Sequence, residues 1–207
     1  MSRSRFGYAM LCILGLLVLF QDVGPAPNEL LASSSAAIGA EQDEAKVALT
    51  EDGMVTEKAL TVSMNDQLTK KLRSQIAEAI ERYPDATVRL TLRGVTPPAE
   101  RKLIHGFNVF LNKPDATAAT PEDDPHFVRA VEFEPTTDSS PQSFSFDLLR
   151  SLVRLNKLEK LDIMDTKKPL KITIVAIPAP GVSRIPLDAS FSVRELAVRV
   201  PPRRKPQ

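Results

Sequence analysis

Apolar and polar positions alternate in two distinct rhythms along this chain, and the two rhythms separate helix from strand. Between residues 65 and 83, Leu68, Leu72, Ile76, Ala79, Ile80 and Tyr83 recur at helical spacing. Lys70, Lys71, Arg73, Glu78 and Glu81 fall on the other faces. This predicts one amphipathic helix, capped by Ser63 or Asn65 and ended by Pro84. From there the period drops to two. Val88, Leu90 and Leu92 alternate with Arg89, Thr91 and Arg93, the pattern of a strand with one dry and one wet face.

Residues 106–112, GFNVFLN, put Phe107, Val109 and Leu111 on one side and Asn108, Phe110 and Asn112 on the other. A turn-rich loop at 113–125 leads into a second alternating run, FVRAVEFE, at 127–134. A short strand around Phe144 and Phe146 runs into a second helix, with Asp147 as N-cap and a stripe of Leu148, Leu152 and Leu155. The near-continuous run LKITIVAI at 170–177 has the composition of a strand buried on both faces. Residues 189–200 predict a last strand, with a bulge near Glu195 where the alternation shifts by one residue. About six strands with polar turns and no regular β-α-β alternation predict a mainly β fold: an antiparallel β-sandwich decorated by two amphipathic helices.

The N-terminal region follows different rules. Arg3 and Arg5 precede an unbroken apolar stretch at 6–20, FGYAMLCILGLLVLF. A basic flank before such a stretch is the make-up of a signal peptide, or of a short N-terminal membrane anchor, and both remain open over residues 1–23. Either way the segment predicts export, to the periplasm or the extracellular side. Residues 24–59 carry Pro25, Pro27, a run of serines at 33–35 and scattered acids, which predicts a disordered linker. The folded domain is expected over 60–200, with a basic tail at 201–207.

Composition narrows the function. The 27 Lys and Arg nearly balance the 26 Asp and Glu, so the chain lacks the concentrated positive field that nucleic-acid binding needs. The one dense basic run is Arg203, Arg204 and Lys205. The single cysteine, Cys12, lies inside the apolar stretch, which leaves the domain with neither a disulfide nor a thiol.

The densest polar constellation is Glu122-Asp123-Asp124-Pro125-His126. Carboxylates beside a histidine can hold a divalent metal or relay protons, which makes Asp123, Asp124 and His126 the candidate metal ligands. The same residues are equally ordinary turn chemistry at a strand entry. His105 is the only other histidine. Nucleophile elbows, Gly-rich phosphate loops and H-E-x-x-H are missing from the sequence. The serines at 139, 140, 143 and 145 have no histidine nearby in sequence. No catalytic residue and no cofactor are assigned.

The pieces VRLTLRGVTPP, GFNVFLNKPDAT, TPEDDPHFVRAVEFE, SFSFDLLRSLVRL and KITIVAIP occur in this order over about half the chain. Together they resemble the β-sandwich domain found C-terminal to the di-copper domain of bacterial tyrosinases and plant polyphenol oxidases. In that family, oxidation is carried out by copper held by six histidines in a separate helical domain, and two histidines cannot replace them. The resemblance therefore implies a non-enzymatic module. The family's C-terminal domain often covers the copper site or assists maturation, so the implied partner is a tyrosinase-like di-copper enzyme met in trans. A general cell-surface binding or scaffold sandwich is the alternative, and a small copper-binding protein centred on His126 is the third.

Overall fold

The computed structural model describes residues 43–49, 53–134 and 140–202. The apolar stretch at 6–20, Cys12 and the basic run at 203–205 lie outside the described residues. No helix among the described residues is long and apolar enough to cross a membrane.

Ten strands and two α-helices follow in the order β1 (Glu44–Ala48), β2 (Met54–Val55), β3 (Leu60–Ser63), α1 (Lys70–Glu81), β4 (Arg89–Val95), β5 (Ile104–Leu111), β6 (Phe127–Glu132), β7 (Gln142–Asp147), α2 (Leu149–Lys157), β8 (Lys171–Pro178), β9 (Phe191–Ser192) and β10 (Glu195–Arg199). They form two four-stranded sheets, ordered β1-β10-β4-β7 and β3-β8-β5-β6, and a two-stranded β2-β9 ribbon. Every pairing is antiparallel. The mainly β class, the antiparallel pairing and the two helices match the sequence expectation, and β8 does take an interior position.

One apolar core joins the two large sheets. Leu90, Leu92, Leu196 and Val198 come from one sheet, and Phe107, Val109, Ile172 and Ile174 from the other. Phe107 bridges them: its ring centroid lies 5.5 Å from that of Phe144 on β7 and 5.4 Å from that of Phe191 on β9. The helices close the core with Leu72 and Ile76 from α1 and Leu152 and Leu155 from α2. A smaller cluster sits on the opposite face of β5, where Phe110 packs with Val175, Ala116 and Phe127. The 113–126 loop thus supplies a lid of its own, and β5 is buried on both faces.

Four expectations need correction. Ten strands stand where about six were expected, because the short β1, β2 and β3 and the splitting of the last strand add to the count. The linker expected over 24–59 does not hold for its described part, since Glu44–Ala48 and Met54–Val55 are strands. Ala45 and Val47 of β1 reach the core only because β10 supplies the hydrogen bonds of a neighbouring strand, a non-local pairing that composition does not announce. The helix expected over 65–83 begins at Lys70, after a 3-10 turn at Asn65–Gln67; Thr69, in place of Ser63 or Asn65, caps it by accepting the Leu72 N–H at 3.1 Å. The predicted bulge near Glu195 is a strand break. The Val193 N–H turns to Gly53 and the Arg194 N–H to Arg93, so the chain leaves the ribbon at β9 and enters the large sheet at β10.

Glycine permits two close passages. A Cβ on Gly106 would sit 2.0 Å from the Val131 carbonyl oxygen of the neighbouring strand. Gly94 has φ +62° and lies where the β4–β7 register shifts between Leu92 and Val95.

Candidate functional site

The candidate residues Asp123, Asp124 and His126 lie at the end of the loop that feeds β6. The tight turn Pro121–Asp124 is closed by the Asp124 N–H donating to the Pro121 carbonyl at 3.2 Å. Asp124 then turns its carboxylate back on the chain, and its Oδ1 accepts the His126 N–H at 2.8 Å. The His126 ring docks against the end of β5: its Nδ1 donates to the Leu111 carbonyl at 2.7 Å, and the Leu111 N–H donates to the His126 carbonyl at 2.8 Å. A carbonyl can only accept, so the proton sits on Nδ1 and the ring is held in one tautomer.

The Asp124 carboxylate also has a charged neighbour. Its side chain is only 16% exposed, and its Oδ2 is 3.4 Å from the Lys113 ammonium. Burial pushes this carboxyl up, but the His126 N–H and the Lys113 charge outweigh it and hold the group below the ordinary carboxylate range. Asp123, by contrast, is exposed. Among the described residues, no three His, Cys, Asp or Glu side chains are grouped so as to hold a metal ion. His105 stands apart from this loop on β5, 3.4 Å from Glu132.

A lowered carboxyl pKa fixes the sign of a pH effect. The stabilisation from Asp124 is fully present above the ordinary aspartate pKa of about 3.9 and is lost as pH falls through the carboxyl's own lower value. Asp124→Asn keeps an oxygen for the His126 N–H but loses the Lys113 charge, and should destabilise the domain by about 1 kcal/mol at neutral pH. The gap in melting temperature between variant and wild type should close under acid. A gap that persists unchanged to pH 2 would show that the carboxylate charge contributes nothing.

Two residues not singled out from the sequence complete this region. Arg154 of α2 donates from Nε to the Pro125 carbonyl at 2.7 Å and from Nη2 to the Phe127 carbonyl at 2.6 Å. Ser151, one helical turn earlier, donates to the same Phe127 carbonyl at 3.1 Å. The i, i+3 spacing of Ser151 and Arg154 put both on one helix face, but only the fold reveals that β6 starts beneath it. Of the serines at 139, 140, 143 and 145, Ser145 shares a 3.1 Å hydrogen bond with Thr91 across β7 and β4. Ser139 lies outside the described residues.

A second feature lies between α1 and the paired ends of β4 and β10. It is a cleft of about 1060 Å³ whose lining includes Gln75, Arg82, Asp85, Arg89, Arg199 and Pro201. Arg89 and Arg199 face each other directly across the β4–β10 ladder.

No family model matches the chain, and no curated protein matches it. Among solved structures, the chain is similar to a recombinantly expressed latent aurone synthase, a polyphenol oxidase, with 16% identity and a TM-score of 0.45 over 77% of this chain. It is also similar to latent aurone synthase from natural source, with 14% identity and a TM-score of 0.39 over 75% of this chain. In both cases the chain spans only 26% of the length of the solved protein.

Proposed function

We propose that this chain is a non-catalytic accessory module, exported or tethered to a membrane by its N-terminal segment, that covers or helps to mature a tyrosinase-like di-copper oxidase in trans. The observation that carries this reading is the ordered set of motifs resembling the tyrosinase C-terminal domain. In the fold, VRLTLRGVTPP contains β4, GFNVFLNKPDAT most of β5 and TPEDDPHFVRAVEFE the turn and β6, while SFSFDLLRSLVRL covers most of β7 and α2 and KITIVAIP is β8. The chemically capable groups inside those motifs, Asp124 and His126, are engaged in closing the turn. Such an arrangement suits a module that acts by binding.

The test is co-expression with a tyrosinase-like di-copper enzyme. Co-purification together with a changed diphenol oxidase activity is the expected result. Neither co-purification nor any change in activity would reject the reading.

A further inference from the structure

The cleft between α1 and the ends of β4 and β10 holds an arginine whose natural neighbour is occupied elsewhere. Arg89 lies opposite Asp147 on one side and opposite Arg199 on the other. An Arg–Asp pair across a ladder is favourable, and two cations directly opposite are not. Yet the Asp147 carboxylate turns to the backbone: its Oδ1 accepts the Leu149 N–H at 3.0 Å and the Val88 N–H at 3.4 Å. Arg89 is exposed and makes no hydrogen bond or ion pair with any described residue. Of the two carboxylates on the cleft wall, Glu78 is bound by Arg82 of the next helical turn, and Asp85 is exposed.

The cleft also presents an acceptor. The Gln75 side-chain carbonyl is buried on this wall without a hydrogen-bond partner. Ala79, Ala86, Val200 and Pro201 add apolar surface to the same wall. An occupant that satisfies all three features needs a carboxylate for Arg89, an N–H for Gln75 and small apolar groups between them. A peptide has all three. A phosphate ion supplies only an anion for Arg89, with neither an N–H for Gln75 nor an apolar group.

We infer that this cleft docks an acidic peptide segment of a protein partner, with Arg89 taking a carboxylate and Gln75 a backbone N–H. The inference rests on the accessory-module reading only in assigning the peptide to a partner. Charge complementarity at such a rim acts mainly on the rate and specificity of encounter, and salt weakens it.

The probe is a fluorescent, end-blocked hexaglutamate peptide, titrated by anisotropy against the full chain, with hexaglutamine as the neutral control. Hexaglutamate should bind saturably and hexaglutamine at least about tenfold more weakly, one decade being a modest loss for a desolvated charge contact. Arg89→Glu should abolish binding, Arg89→Gln should weaken it about tenfold, and Gln75→Leu should weaken it with the salt dependence unchanged. Arg129→Gln, on the other large sheet, should bind as wild type does.

Equal binding of the two peptides, or equal binding by Arg89→Glu and wild type, would overturn the inference. So would Arg89-dependent binding to phosphatidylserine vesicles in the absence of peptide binding. Unchanged thermal melts of the Arg89 variants keep these outcomes separate from misfolding. Loss of oxidase co-purification in wild type with peptide binding intact would reject the accessory reading alone, and the reverse would reject the cleft alone.

Discussion

Replacing Arg73 with alanine is expected to destabilise the domain by about 3–4 kcal/mol, far more than an exposed helix position would. The side chain is only 3% exposed. Its Nε donates to the Leu68 carbonyl at 3.2 Å and its Nη1 to the Ile163 carbonyl at 2.8 Å. Nη2 donates to the Asn65 side-chain oxygen at 2.9 Å. Asn65 in turn donates to the Thr166 carbonyl at 2.7 Å. One guanidinium therefore fastens three separated stretches: the 3-10 turn, the first turn of α1 and the loop after α2.

Its partners are neutral, so no ion pair accounts for the burial. The planar fork satisfies several carbonyls that would otherwise be left without donors in a dry region. Alanine leaves those acceptors orphaned and opens a cavity. Lysine supplies the charge without the fork, and Arg73→Lys should still lose about 2 kcal/mol. Lys70→Ala, on the exposed face of α1, should stay within about 0.5 kcal/mol of wild type. Urea midpoints at constant slope measure all three. An Arg73→Ala midpoint equal to that of Lys70→Ala would show that the network contributes nothing.

Arg73 also marks where pattern reading stopped. The spacing of Leu72, Ile76 and Ala79 located the buried stripe of α1 correctly, yet placed Arg73 on the wet faces. Helical periodicity reports which direction a side chain leaves the helix, not what has been folded over it. The loop that covers Arg73 begins some ninety residues later. Arg154 escaped for the same reason, since the carbonyls it binds belong to the strand entry at Pro125 and Phe127. β1 went unread because five residues among acids become a strand only beside β10. By contrast β4, β5, β6 and β8 were legible, because each carries enough alternating or continuous apolar residues to define its own buried face. The candidate site was legible as residue types and not as chemistry: Asp124 and His126 do sit together, but through a turn hydrogen bond in place of a shared ligand.

The F-x-V-F motif within β5 should behave as two separate packing units, and Phe107→Ala is expected to be the most damaging single core change. Phe107 is fully buried and its ring meets Phe133, Phe144 and Phe191 at centroid distances of 5.7, 5.5 and 5.4 Å. It joins both large sheets and the ribbon, so no element can move in to fill the void without breaking a ladder. A loss of about 4–5 kcal/mol follows, at the upper end for Phe→Ala.

Phe110, three residues on, is equally buried but faces the other way, against Phe127 at 5.7 Å and the loop residue Ala116. That loop is held by turn hydrogen bonds such as Ala116 N–H to the Lys113 carbonyl, and it can settle into a vacated site. Phe110→Ala should therefore cost about 2–3 kcal/mol, because partial collapse reduces the cavity term. Amide exchange separates the two: Phe110→Ala should speed exchange selectively across residues 113–126, whereas Phe107→Ala should raise it throughout the sandwich. The double variant should lose the sum of the two single losses to within about 0.5 kcal/mol. A coupling well above that value, or uniform exchange in both variants, would mean that the outer cluster and the inter-sheet core are one unit, and that the 113–126 loop belongs to the sandwich core itself.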